Sequence, residues 1–275
     1  MAQKIPYLII PIFIPFGGCE QKCVFCNQST ITGVSYLPST TEIKSIIDQH
    51  LSTWKKGGRK EVAFYGGSFS GLPQDTQVEY LSAAYEYVED GRIDGLRIST
   101  RPDYINDEVI ALLKKYSVGA VELGVQSMFN RVLKLCGRGH TGKDTVRAVR
   151  LLKEANLKIG IQIMPGLPGD TEMTIVNTAR RVVIVRPNFV RVYPTLVLKD
   201  TPLHKMYLDG DYRPWPLEDM VSVCKDIARI FNRASISIIR MGVHPTPELE
   251  ANIVAGPYHP SFRQLVEGNS TPSYS

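Results

Sequence analysis

At 275 residues and 43% hydrophobic, the chain is long and apolar enough to bury a substantial core, as one large domain or two small ones. Five cysteines, an odd count without a secretory signal, argue against a disulfide framework. A net charge of +5 is mildly basic: it permits an RNA partner without establishing one, and no DNA partner is expected.

The first element is an apolar run over residues 7–16, interrupted by Pro11 and Pro15. At about ten residues it is too short to span a bilayer and lacks the basic region of a signal peptide, so it reads as a buried strand, over residues 7–14. No later stretch is long enough to span either. A soluble, cytoplasmic protein with no membrane partner is the expectation. Further strands are expected at 61–65, 95–99, 120–125, 158–164, 188–193 and 236–241. Helices are expected at 41–56, 76–90, 106–116, 141–155, 170–185 and 217–234. Val109, Leu112 and Leu113 recur at helical spacing in the third helix, and Val146, Val149 and Leu152 in the fourth. Thr41 followed by Glu42, and Asp170 followed by Glu172, mark helix starts. Strands read as continuous apolar runs, alternating with helices, give an α/β fold with a parallel sheet covered by helices. About six such units suit a partial (β/α)6 TIM-like barrel over 1–240. A short C-terminal extension over 241–275 follows, and its polar end, 269–275, is expected to be disordered.

In such a barrel, reactive groups belong at the C-terminal ends of strands. Cys19, Cys23 and Cys26 follow the first strand as C-x3-C-x2-C. Three thiolates on one loop can hold three corners of an iron–sulfur cube and leave the fourth iron open for chemistry. A structural zinc site wants a fourth ligand, and only Cys136 and Cys224 remain, each alone. Gly66 and Gly67 follow the second strand, where glycines let a ligand approach the backbone. Ser99 to Asp103 follow the third. The fourth runs into Gln126 and Ser127, and burying Gln126 without a partner is costly, which favours a ligand contact there. Met164 to Pro168 follow the fifth strand. Tyr193 ends the sixth, a rim candidate near a substrate mouth or a buried strand-end tyrosine. Gly137, Gly139 and Gly142 match G-x-G-x-x-G, but no strand precedes them directly, so they read as a turn and helix start. Lys143, Arg147 and Arg150 share one helix face, and Lys55, Lys56, Arg59 and Lys60 form a second cluster; both read first as solvated charge.

The cysteine triplet with Phe25 before its last member, the Gly66–Gly67 pair and the βα order resemble the radical S-adenosylmethionine (SAM) superfamily over roughly residues 8–240. Within that span, "ELGVQS" (122–127), "RGHT" (138–141) and "YPTLV" (193–197) are similar to the radical-SAM domain of the Elongator catalytic subunit. That family modifies the wobble uridine of transfer RNA using acetyl-CoA. The resemblance implies a 4Fe–4S cluster on Cys19, Cys23 and Cys26, with the SAM amine and carboxylate on the fourth iron. It implies reductive cleavage to methionine and a 5′-deoxyadenosyl radical that abstracts hydrogen from substrate, fed by an electron donor of flavodoxin or ferredoxin type. The cofactor carries the radical chemistry, and the protein orients it. By the same resemblance, Gly66 and Gly67 meet the methionyl amine and Phe25 lies beside the adenine. Gln126, Arg138 and Gln162 match contacts to the sulfonium, carboxylate and ribose regions. Phe25 reads equally well as core, Arg138 as an ion-pair partner, and Glu122 and His140 as structural groups.

The chain also departs from the Elongator pattern. Its first cysteine interval is shorter, and Ser99 stands where that family carries a glutamate implied to face SAM. The forty or so residues beyond Ala234 are too few for a second acyl-CoA-binding fold, no long extension precedes Cys19, and residues 242–268 resemble a bacterial group of stand-alone radical-SAM proteins. Three functions follow: an Elongator-like enzyme on RNA, a radical-SAM enzyme on a small molecule like the oxygen-independent coproporphyrinogen oxidases, or a non-enzymatic cluster protein. The last needs Cys136 or Cys224 as a fourth ligand.

Overall fold

The protein is described here by a computed structural model covering residues 6–20, 22–28 and 34–268; the tail expected to be disordered, 269–275, lies outside the described residues. Strands β1 (Tyr7–Ile14), β2 (Arg59–Gly66), β3 (Gly95–Thr100), β4 (Val118–Gln126), β5 (Lys158–Ile163), β6 (Phe189–Val192), β7 (Val197–Leu198), β8 (Ser237–Met241) and β9 (Ile253–Ala255) form two sheets. β1 to β6 and then β8 lie side by side in sequence order, every pair parallel. β1 and β8 are the two edges, so the sheet is a curled half-barrel rather than a closed ring. β7 and β9 make a separate antiparallel pair.

Helices α1 (Thr40–Thr53), α2 (Gln74–Glu89), α3 (Asp107–Lys115), α4 (Asn130–Leu135), α5 (Gly142–Glu154) and α6 (Glu172–Val185) connect the successive parallel strands. After β6 the chain makes β7, α7 (Pro202–Leu208) and α8 (Leu217–Arg233) before returning to β8. Helices α9 (Pro247–Glu250) and α10 (Phe262–Glu267) lie in the C-terminal extension. Phe262 and Val266 of α10 are buried in the main core, and β9 pairs with β7, so the extension is packed onto the barrel. No described helix is long and apolar enough to cross a membrane.

Side chains alternate across each strand, and the two faces of this sheet differ. One face presents Ile10, Ile12 and Ile14 from β1, Val62 and Phe64 from β2, and their counterparts along the sheet, all buried against the helices. Phe64 meets Phe69 and Tyr80 at ring-centroid distances of 5.0 and 6.1 Å, fixing α2 on β2. Each fully buried side chain of this size contributes roughly 1.5–3 kcal/mol. The opposite face lines the lumen and carries Glu61, Arg97, Glu122 and Arg191. The strands are therefore not the continuous apolar runs expected from the sequence. β2, β3, β4 and β6 hold Glu61, Arg97, Glu122 and Arg191, respectively, at inward positions.

Two helix starts also differ from expectation. Ser39, not Thr41, caps α1, with Glu42 closing a capping box; Thr171, not Asp170, caps α6, with Thr174 as its reciprocal partner. In α5 the buried face is Thr145, Ala148, Val149 and Leu152, whereas Val146 is exposed. A β-branched residue on the solvent side made the hydrophobic stripe look one position wider than it is.

Candidate active site

The cysteine loop leaves the C-terminal end of β1 through Gly17 and Gly18, a pair that the sequence reading passed over. Gly18 has φ +67°, and a Cβ there would sit 2.2 Å from the Ser68 carbonyl oxygen. A Cβ on Gly67 would lie 2.1 Å from the Gly17 carbonyl oxygen. Ser68 N donates to Gly17 O at 2.8 Å, and Gly67 N to Ile14 O at 3.0 Å. Gly67 thus lacks a side chain because two backbones touch there, a cause distinct from ligand approach. Gly66 is different: φ is +99°, which favours glycine, and its nearest neighbours would be 3.5 Å from a Cβ.

Five further hydrogen bonds hold the loop. Gln28 Nε2 donates to Gly66 O at 2.6 Å, and its Oε1 accepts from Phe16 N, stapling the loop's end to its start. Val24 N donates to Cys136 O at 3.0 Å, and Leu203 N to Val24 O at 2.8 Å. Asn27 Nδ2 donates to Lys199 O at 3.0 Å. The loop is thereby clamped between the turn after α4 and the β7–α7 segment. Phe25 is half-buried and packs with Val24 against two small apolar clusters, one around Cys136 and Leu167 and one around Val197 and Leu203.

Cys23 is buried, and Cys19 and Cys26 are half-buried. Burial first, then the neighbouring Cys23 and Cys19 thiols, push the Cys26 pKa up to about 12. That thiol keeps its proton until a cation displaces it. Among the described residues no three His, Cys, Asp or Glu side chains converge tightly enough for a single metal ion. A cube asks for a wider set, because each thiolate binds a different iron. Three soft thiols on one clamped loop, with a guanidinium as the cation beside them, fit that donor requirement. Cys224 is buried in the helix layer on α8. Cys136 lies under the loop in an apolar cluster, where burial, then Cys23, push its pKa up to about 12.

The other candidates approach this loop from β3, β4, β5 and the turn after α4. Arg138 Nη1 donates to Cys23 Sγ at 3.1 Å, and its Nη2 to the Gly124 carbonyl. Cys19 Sγ is 3.6 Å from Ser68 Oγ. β4 ends in a register shift between Gly124 and Gln126, and Gln126 takes the left-handed conformation with φ +64°. Strain of this kind in a non-glycine residue gathers at functional sites. The kink leaves Gln126 buried, with Oε1 accepting from Gln162 Nε2 at 3.2 Å. Gln126 therefore has a protein partner, which the sequence reading had not given it. A Cβ on Gly124 would meet Gln126 Nε2 at 3.2 Å and Arg138 Nη2 at 3.3 Å, so this glycine keeps the two polar heads together. Ser99 is half-buried on β3, and its hydroxyl makes no hydrogen bond among the described residues. The glycine triplet at 137–142 is a turn and helix start, as expected, with Thr141 capping α5.

Deeper in the lumen lies a network that the sequence reading missed apart from Glu122 and Tyr193. Arg97 donates to Glu61 Oε2 at 2.7 Å and to Glu122 Oε1 at 2.9 Å. Arg191 Nη2 donates to Tyr65 Oη at 3.1 Å, and Nη1 to Tyr193 Oη at 3.2 Å. Its Nε lies 2.6 Å from Glu122 Oε2 but is not aligned for a hydrogen bond. Tyr65 in turn donates to Glu122 at 2.8 Å. Tyr193 is thus tied to the lumen floor rather than standing alone at the rim. The available signal was a charged residue within the otherwise apolar runs of β2, β3, β4 and β6.

Residues 13–182 match the profile of the Radical SAM superfamily, and residues 187–270 match that of the Radical_SAM C-terminal domain. The "tRNA uridine(34) acetyltransferase" of Methanocaldococcus jannaschii is 38% identical over 230 residues, covering 76% of this chain and 42% of that protein. "Elongator complex protein 3" of Mus musculus is 28% identical over 257 residues, covering 80% of this chain and 45% of that protein. The chain therefore spans less than half the length of both relatives. Among solved structures, the archaeal Methanocaldococcus infernus Elp3 with an N-terminal deletion superposes with a TM-score of 0.75. It is 24% identical, covers 95% of this chain and 62% of its own, and is a likeness of fold. The superfamily profile runs from the end of β1 through the cysteine loop and β2 to β5 into α6, more than half of the sequence. Members bind a 4Fe–4S cluster and SAM, the pair that the thiol loop and its surrounding polar heads suit. The chain belongs to the radical SAM superfamily.

Proposed function

We propose that this SAM-dependent enzyme holds its cluster on Cys19, Cys23 and Cys26 and acts on RNA. When bound, the cluster and SAM supply a one-electron cleavage that yields methionine and a 5′-deoxyadenosyl radical able to take hydrogen from a substrate carbon. The chain's own residues bind and orient. Gln126 and Gln162 offer an amide pair, Arg138 a cation for a carboxylate, and Ser99 a hydroxyl on the neighbouring strand. Phe25 lies on the apolar side of the loop, suited to an adenine face. Gly66 and Gly67 would take the methionyl amine end, with Gly66 O already accepting from Gln28 on one side. The buried ionic floor closes the lumen from below, which would limit water that could quench a radical.

The observation that carries the chemistry is the bridge from Cys23 through Arg138 to Gly124, which ties the thiol loop to the rim of the lumen. The RNA reading is supported by the similarity to a protein named for tRNA uridine(34) and by exposed Lys143, Arg147 and Arg150 on α5. An electron carrier of flavodoxin or ferredoxin type would supply the electron. The test is SAM cleavage by anaerobically reconstituted enzyme with and without transfer RNA. RNA should accelerate release of 5′-deoxyadenosine, with binding that weakens steeply as salt rises. Acceleration by a small metabolite but not by RNA would move the reading to a small-molecule enzyme.

A further inference from the structure

A carboxylate is ordinarily met by the far end of an arginine, yet both terminal nitrogens of Arg138 are already committed. Nη1 donates to Cys23 Sγ at 3.1 Å and Nη2 to the Gly124 carbonyl, while Nε is buried without a partner. Among the described residues Arg138 makes no ion pair, so no carboxylate cancels its charge at the sulfur. Its backbone is fixed against the same loop. Arg138 N donates to Leu133 O at 2.9 Å, and two residues earlier Cys136 O accepts from Val24 N, the residue after Cys23. Sulfur and guanidinium are therefore held at a set separation by backbone contacts on both sides.

We infer that Arg138 is a redox-tuning residue: its donation to the Cys23 sulfur raises the reduction potential of the bound cluster. This rests on the reading of Cys19, Cys23 and Cys26 as cluster ligands. The physical reason is general. Reduction adds negative charge to the cluster and its sulfurs, and a nearby donor with a permanent positive charge stabilises that form more than the oxidised one. Partial burial strengthens the effect because few waters screen it. The unpartnered Nε remains as the donor that can face a cofactor carboxylate. One side chain would then serve both the sulfur and the cofactor.

The test is an EPR-monitored redox titration of reconstituted wild type, Arg138→Met and Arg138→Gln, all without SAM, so that lost cofactor affinity cannot contribute. Iron and sulfide content are measured on each sample first. The expected result is a more negative midpoint in Arg138→Met at unchanged iron content, with an altered EPR signal of the reduced cluster. Arg138→Gln, which can still donate but carries no charge, should fall between the two. If Arg138→Met does not retain iron, the Gln variant carries the comparison. A wild-type midpoint in a fully loaded variant overturns the inference alone. A wild type that binds no 4Fe–4S cluster overturns the ligand reading, and the inference with it.

Discussion

His140 is buried against β4, with Nε2 3.1 Å from the Val125 carbonyl oxygen and Nδ1 without a partner. A carbonyl only accepts, so Nε2 carries the proton. Burial first, and the Arg138 charge second, push its pKa from 6.5 down to about 3. A depressed folded pKa means the unfolded chain takes up the proton first. The residue's contribution is full above about pH 6.5 and is lost as pH falls toward 3. Across that window His140 should remove up to about 1.4 kcal/mol of stability per pH unit. Urea unfolding of the metal-free protein at pH 7.5, 6 and 5 should therefore give a shallower pH slope in His140→Gln than in wild type. Equal slopes would show that another group carries the acid sensitivity. Residues of this kind were only partly legible in the sequence. The cysteine triplet announces itself by spacing, because metal chemistry fixes residue type and interval together. Gln28 carries no such mark: its role comes from Phe16 and Gly66, which only the folded loop brings within reach.

The elements that position the site are short turns, and backbone geometry decides them. Gly66 and Gly67 look alike in sequence but answer to different constraints. Alanine at Gly66 would meet only its left-handed φ, at a cost of about 1–2 kcal/mol. Alanine at Gly67 would drive a Cβ into the Gly17 backbone, costing about 2–3 kcal/mol if the loop yields and displacing the cysteine loop as it does. Chemical unfolding with iron analysis after reconstitution checks this. Gly67→Ala should be the less stable and should lose iron, while Gly66→Ala retains it; the reverse order would contradict the loop-packing account. Strand and helix positions were legible because hydrophobic periodicity survives in every βα unit. β1 matches its expected span, 7–14, and β5 ends one residue short of expectation. The bulge that turns Gln126 into its left-handed state was not legible, since a glutamine ending an apolar strand gives no sign of φ. The β7–β9 pair was missed as well, because two- and three-residue strands have no period to read.

Across the whole molecule, the lumen floor joins strands that lie far apart in sequence. Glu61, Arg97, Glu122 and Arg191 come from β2, β3, β4 and β6, and two positive and two negative charges balance among them. Breaking such a set by removing one partner strands the others in a dry interior. Arg97→Ala should cost about 3–5 kcal/mol in a denaturant titration. A loss below about 1 kcal/mol would mean that solvent already reaches the floor. The fold class and the rim location of the cysteine loop were readable from the βα order, whereas this network was not. A parallel strand with one inward charge still looks apolar in a linear sequence, and the partners become visible only when the sheet curls. The clamped cysteine loop stands at the C-terminal end of the same sheet that carries this floor, and its chemistry is open to a direct measurement. Protein reconstituted anaerobically with iron and sulfide, then given SAM and dithionite, is assayed for 5′-deoxyadenosine alongside Cys23→Ala. The expected result is 5′-deoxyadenosine and methionine from the wild type and neither from the variant. A fully loaded wild type that releases no 5′-deoxyadenosine, or a Cys23→Ala protein that still does, would contradict the assignment.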